Sequence, residues 1–320
     1  MSNKKKYLGV DVGSVSTDLA LIDENYRLIE KVYLRTKGQP IDVIKTGLNI
    51  LAEKYKNIKI AGAGTTGSGR NLAGVMLGAD VIKNEITTHA VAAANTISGV
   101  KTVLEIGGQD SKIIILRDGV AVDFAMNSVC AAGTGSFLDQ QANRLEIPIE
   151  KFGSYALRAE SPVRIAGRCS VFAESDMIHK QQLGHDLPEI IAGLCDAMVR
   201  NYLNNVAKGK DLKEPIIFQG GVAANIGIKK AFEKELGMEI TVPDNYDAMG
   251  AIGSAILARE EVVKKKKKTT FKGFAVTEYN FKTTSFECDG CPNHCEIVNI
   301  YQDGKLIARW GSKCPRWEAV

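Results

Sequence analysis

Apolar and small residues dominate the first stretches of the chain, broken at short intervals by turn formers. KYLGVDVG, STDLALIDE and YRLIEKVYLRT read as three successive strands, punctuated by Gly and by Asp-Glu-Asn. The apolar spacing then lengthens. Ile41, Ile44, Leu48 and Leu51 predict a helix within IDVIKTGLNILAEKY. IKIAGAG predicts a buried strand feeding a glycine-rich loop, and NEITTHAVAAANTI a second helix, which completes one α/β domain.

The same order restarts at KTVLEIGGQDSKIIILRDGVAVDFAMN as strand, glycine turn, strand, Asp-Gly turn and strand, a weak internal repeat of the first 36 residues. Five consecutive lysines, 264–268, follow a helical segment that ends near Glu260; they repel one another and cannot pack, which predicts a linker and a small module beyond it. The expected division is 1–97, 98–260 and 261–320.

At 320 residues with 45% apolar side chains and only 8 prolines, the chain can bury the cores of two or three domains. Its net charge of +4 is local to the end. Residues 261–320 hold 11 Lys/Arg against 7 Asp/Glu, leaving 30 against 30 in the body, so a nucleic-acid face is not expected. MSNKKK leads directly into a short apolar run, and no stretch reaches membrane-spanning length. A cytoplasmic protein without a membrane partner is expected.

A triphosphate asks for backbone N–H donors, small residues, hydroxyls and a carboxylate that holds Mg²⁺ through water. Asp11, Gly13, Ser14, Ser16 and Thr17 supply these at the end of one strand; Glu105, Gly107, Gly108, Gln109 and Asp110 supply a similar set at the matching turn of the repeat. Gly220, Gly221, Ala223 and Asn225 follow a buried strand and offer bare backbone to an adenine. Residues 247–255 form a small-residue helix suited to close packing. This order resembles the phosphate-1, phosphate-2, adenosine and connecting motifs of the actin/hexokinase/Hsp70 superfold. The resemblance implies a duplicated, ribonuclease H-like α/β ATPase fold with nucleotide in the cleft between two domains, here followed by a Cys-rich C-terminal module. Gly62, Gly64 and Gly67 with Glu85 also satisfy a dinucleotide fingerprint. That reading would leave the other glycine motifs without a role, so the segment is ranked as a loop lining the same cleft.

Seven cysteines in a reducing compartment point to metal or redox chemistry rather than disulfides. Cys130 and Cys169 each fall just before an expected helix, among small and polar residues, where the dipole and free N–H groups favour an anionic thiolate or cluster. A 4Fe-4S cluster needs four thiolates, and a two-fold homodimer would complete the set. VCAAGTGSFLDQQANRL and GRCSVFAESDMIHKQQLG resemble the activator component of 2-hydroxyacyl-CoA dehydratases, a family that includes the ATPase subunits of benzoyl-CoA reductase and the reductases of double-cubane-cluster proteins. The resemblance covers about residues 6–260.

It implies ATP/ADP and Mg²⁺ as ligands, and a homodimer whose one bridging 4Fe-4S cluster is held by Cys130 and Cys169. It implies nucleotide-dependent reorientation of the helices that follow, with Gly133, Thr134 and Gly135 at the nucleotide. It also implies ferredoxin or flavodoxin upstream and a partner iron-sulfur enzyme that receives the electron. Asp11, Glu105, Gln109 and Asp110 are the expected catalytic residues. Relatives often carry Asp where Glu105 stands, which leaves its role at Mg²⁺ or at the attacking water open.

Cys288, Cys291, Cys295 and Cys314 flank a hairpin turning at Asp303-Gly304. Pairing across that turn puts position 295 opposite 312, so four thiolates could enclose Zn²⁺ or a second iron-sulfur cluster. The competing reading of the whole chain is a sugar or N-acetylglucosamine-type kinase of the same superfold, without a cluster. An Hsp70-like scaffold is disfavoured, for no substrate-binding β-domain is visible.

Overall fold

The computed structural model describes residues 5–56, 58–127 and 130–317. The chain divides into two compact units, Met1–Asn84 with Gly250–Val320, and Glu85–Met249.

The first unit holds β1 (Lys6–Val12), β2 (Ser16–Asp23), β3 (Leu28–Arg35), α1 (Pro40–Lys54), β4 (Ile60–Thr66), α2 (Arg70–Leu77) and β5 (Val81–Ile82). Short turns make β1, β2 and β3 an antiparallel meander, whereas β4 lies parallel to β1 and needs α1 as its crossover. α1 starts with proline in its first turn and buries Ile44, Gly47, Leu48 and Leu51, the face that the apolar spacing predicts.

In the second unit, α3 (Glu85–Thr96) precedes β6 (Thr102–Ile106), β7 (Ser111–Arg117) and β8 (Val120–Asn127). Four helices follow: α4 (Gly135–Arg144), α5 (Ile149–Ala156), α6 (Ser170–Gln182) and α7 (Leu187–Asn205). The unit closes with β9 (Ile216–Gln219), α8 (Ile226–Leu236) and β10 (Ile240–Thr241). The sheets run β3-β2-β1-β4-β5 and β8-β7-β6-β9-β10, one order used twice. The internal repeat is therefore a repeat of topology.

α9 (Met249–Lys265) packs on the first sheet, where glycines let backbone meet backbone: a Cβ on Gly9 would strike the Ala251 carbonyl, and one on Gly64 the Ser254 carbonyl. This explains the dinucleotide-like fingerprint. Gly62 and Gly64 lie inside β4 beneath α9, not in a ligand loop, and Glu85 belongs to α3 in the other unit.

The observed division differs from the expected one. α3 counts with the second unit, and the C-terminal segment with the first, because both are held there by packing that a linear reading cannot see. Lys264 and Lys265 form the last turn of α9, and Lys265 pairs with Glu261 at 2.6 Å. Beyond them β11 (Phe281–Glu287), β12 (Glu296–Gln302) and β13 (Lys305–Trp310) form an antiparallel sheet, and Val276, Phe281 and Ile300 join the core of the first unit.

Asp80 fastens this segment. Its buried carboxylate accepts from Ala63 N (2.9 Å), Thr269 Oγ1 (2.6 Å), Thr270 N (3.0 Å) and Thr270 Oγ1 (3.2 Å). Asp80→Ala orphans these donors and should cost about 3 kcal/mol of unfolding free energy. Limited proteolysis should then cut within 266–272 well before the rest of the chain; wild-type protease resistance there would refute the anchoring role.

Candidate functional site: matched glycine turns and a pair of thiols

The repeat is closest at the two glycine turns. Gly13 N bonds Ser16 O at 2.8 Å, and Gly107 N bonds Asp110 O at 3.0 Å. Asp11 stands opposite Asp18 and Thr66 in its sheet; Glu105 stands opposite Lys112 and Gln219 in the other. Gly67 (φ 90) and Gly220 (φ 88) also correspond. A Cβ at Gly67 would strike the Val12 carbonyl and Asp11 Oδ1, and one at Gly220 the Ile106 carbonyl and Glu105 Oε1. Each turn thus aims a strand-end carboxylate at a left-handed glycine that no larger residue can replace.

The turns differ where the first has Asp18 and the second Lys112. The Lys112 ammonium is buried and reaches Glu85 Oε2 (2.8 Å), Glu105 Oε2 (2.9 Å) and Asp110 Oδ2 (2.8 Å). Burial pulls its pKa down, but the three carboxylates outweigh this and hold it charged. Burial pushes Glu105 up to about 8; Lys112 opposes that shift, while Asp110 and Glu85 add to it. With three acids to share, Lys112 keeps its proton even where Glu105 has one too. Beside them, desolvation takes His89 down to about 3, so the ring is neutral and its Nδ1 lies 2.7 Å from Gln219 Nε2.

The thiols lie in the second unit as well. Cys169 is the residue before α6, and Cys130 begins a short 3-10 turn, Ala131–Gly133, that leads into α4. Cys130 Sγ is 3.9 Å from the carbonyl oxygen of Arg168, the neighbour of Cys169, so the fold brings the two cysteine loops together. Asn127 brackets Cys130, accepting from its N–H and donating to its carbonyl, both at 2.9 Å. Asn201 of α7 donates to Gly167 O at 2.5 Å and approaches Gly133 from the other side. Glu174 of α6 takes hydrogen bonds from Gln140 (3.0 Å) and Arg144 (2.6 Å) of α4, tying together the helices that follow the two cysteines.

A family model described as the BadF/BadG/BcrA/BcrD ATPase family matches residues 8–258. The chain belongs to that family. A relative, the (R)-2-hydroxyglutaryl-CoA dehydratase activating ATPase of Acidaminococcus fermentans, is 32% identical over 259 residues, 80% of this chain and 98% of the relative. Among solved structures, the activator of the 2-hydroxyisocaproyl-CoA dehydratase from Clostridium difficile with bound ADPNP has a TM-score of 0.74 at 28% identity, covering 82% of this chain and 97% of its own. Component A of the Acidaminococcus fermentans (R)-2-hydroxyglutaryl-CoA dehydratase has the same TM-score at 32% identity, covering 81% and 99%. The actin/hexokinase-like fold and ATPase activity follow from this membership.

Within this BadF/BadG/BcrA/BcrD ATPase, the expected nucleotide residues divide by what their atoms already do. Ser14, Gln109 and Gly221 are open, and no atom lies within 4 Å of the position a Cβ on Gly221 would take. Thr17 is buried with its hydroxyl 2.9 Å from Thr36 Oγ1, while Ser16 donates to Asp18 at 3.1 Å. The Gly133–Gly135 segment is engaged internally: Thr134 donates to Ala131 O at 2.9 Å, and Gly135 N to Gly107 O at 2.9 Å. Ala223 is buried, and Asn225 caps α8 through Gly227 N and Ile228 N.

Lys112, His89, Gln219, Asn201 and Glu174 are not singled out by the sequence, which marks Glu85 only through the dinucleotide fingerprint. A lysine entering the run Ile113-Ile114-Ile115 was the one visible signal.

The tail cysteines lie beyond the family match, and the register of their hairpin differs from the expected one. Among the described residues no group of three or more Cys, His, Asp or Glu side chains is placed to hold a metal ion. A bulge between Ile300 and Tyr301 moves the hairpin register, so that Val298 faces Trp310. β11 adds a third strand, on whose extension Cys288 N bonds Cys295 O at 2.9 Å. Cys288 Sγ accepts from Gly290 N (3.4 Å) and Trp317 Nε1 (3.2 Å), Cys314 lies against Ser312, and Cys291 is exposed.

Proposed function

We propose that this ATPase is an activator that uses ATP hydrolysis to deliver single electrons to a partner iron-sulfur enzyme of the 2-hydroxyacyl-CoA dehydratase or double-cubane-cluster type. The carrying observation is the approach of the Cys130 thiol to the carbonyl of Arg168, the residue before Cys169, which brings two loops with half-exposed cysteines together. The donor set fits half of a 4Fe-4S cluster: two half-exposed thiols on adjoining loops, which a second copy related by a two-fold axis would complete to four. Val171 (67% exposed) and Phe172 (66%) project beside Cys169, apolar side chains suited to a protein neighbour.

When bound, such a cluster supplies a one-electron carrier, filled by a ferredoxin or flavodoxin and emptied into the partner. The chain's own residues do the rest. Asp11, opposite Asp18, forms an acidic pair suited to Mg²⁺ through water, and Asp110 and Glu105 stand ready to orient the attacking water. The helices after the cysteines, joined through Glu174, carry both thiols when the nucleotide state changes. ATP drives the cycle only through its different affinities for the two arrangements.

Anaerobic purification of the full chain tests this. A brown protein with broad absorption in the visible blue and about four irons per dimer is expected. A colourless, iron-free protein after reconstitution, with phosphoryl transfer to a sugar, would establish the kinase reading instead.

A further inference from the structure

We infer that Ser136 couples the nucleotide turn to the cysteine loops, as the hydroxyl latch through which ATP acts on Cys130 and Cys169. The inference rests on the reading above and adds a residue that the motifs do not assign.

Three hydrogen bonds join the Gly107-Gly108 turn to the start of α4: Gly135 N to Gly107 O (2.9 Å), Ser136 N to Gly108 O (2.8 Å) and Ser136 Oγ to Gly108 O (2.6 Å). There is no slack in this joint. A Cβ on Gly135 would come within 3.0 Å of Gly107 O and 3.4 Å of Gly108 Cα. Cys130 lies five residues upstream of Gly135, across the short turn pinned by Thr134. α4 is tied to α6, and so to Cys169, through Glu174.

Planarity of the peptide unit makes the joint responsive. Gly107 O shares its plane with Gly108 N–H, and Gly108 O with Gln109 N–H, each pair pointing in opposite directions. A phosphate that draws those N–H groups toward itself must re-aim both carbonyls, and with them the start of α4. Ser136 makes two of the three bonds and grips the Gly108 carbonyl from backbone and side chain together, so it decides whether α4 follows.

The test uses the full chain, metal-free and reduced, with ADP or a non-hydrolysable ATP analogue. Alkylation by iodoacetamide is followed separately at Cys130 and Cys169, with buried Cys195 as internal reference. In the wild type the two nucleotide states should differ in rate by about fivefold, the ratio that ~1 kcal/mol of coupling supports. In Ser136→Ala the ratio should fall close to one while nucleotide affinity stays within about twofold, and Ser136→Thr, which keeps the hydroxyl, should restore it. A Ser136→Ala protein with the wild-type ratio overturns the inference, as does one whose nucleotide affinity collapses. A wild type that binds its iron yet shows no ratio overturns the coupling alone, whereas a wild type that takes up no iron overturns the electron-donor reading.

Discussion

Lys112→Met should be the most damaging single substitution in the second unit. It removes the ammonium that Glu85, Glu105 and Asp110 share and leaves their carboxyl groups crowded, Glu105 fully enclosed. Breaking a buried ionic cluster from one side costs about 3–5 kcal/mol. ATPase activity should fall on the order of 10²-fold, since the turn that orients Asp110 and Glu105 loses its centre. The pH dependence carries the signature. Glu105 has its pKa raised in the folded state to about 8, so its contribution is fully present at acid pH and is lost as pH rises through that value. Without Lys112 the folded pKa moves higher still. Glu105 is then protonated in both proteins up to about pH 8, and its share of the penalty appears only above it. Denaturant unfolding in a chelating buffer at pH 6, 8 and 9 should show the gap between variant and wild type widening from 8 to 9. A constant gap would mean that Lys112 is not the counter-ion of Glu105.

The second large effect is expected at the thiols. In the proposed cluster-bridged dimer, Cys130→Ala or Cys169→Ala would leave two of the four thiolates that a cube needs, so bound iron should drop from about four per dimer to background. Electron delivery should vanish with it. ATP affinity should survive, because both glycine turns are untouched. Cys195→Ala is the control: its thiol is buried in the core of the second unit, and burial pushes its pKa far up, so it is no thiolate ligand and iron should be retained. Retention of iron in Cys169→Ala would end the shared-cluster proposal.

Much of this organisation was legible because it is local. The strand-turn-strand rhythm around Gly13 and Gly107, the apolar spacing of α1 and the helices behind both cysteines depend on neighbours within a few residues. What stayed hidden depends on pairs far apart in the chain. Nothing near Asp80 announces Thr269 and Thr270, so the lysine run read as a free linker when it closes α9 and leads into an anchored sheet. Lys112 looked like one polar residue of a turn, since its partners come from α3, β6 and the turn itself. Gly62 and Gly64 imitated a ligand loop because a glycine that admits a helix and one that admits a phosphate are the same residue. The bulge at Ile300-Tyr301 has no letter of its own, and it moves the register of the tail hairpin by one residue.

The correspondence of Asp18 with Lys112 bears on how such a chain could have arisen from a doubled ancestor. A protein assembled from two first halves would set four carboxylates at its two turns with no ammonium to offset them; one assembled from two second halves would have an ammonium among the carboxylates of each turn and no cross-strand pair like Asp11-Asp18. The present chain holds one turn of each kind, so the two copies of one topology are no longer interchangeable in charge.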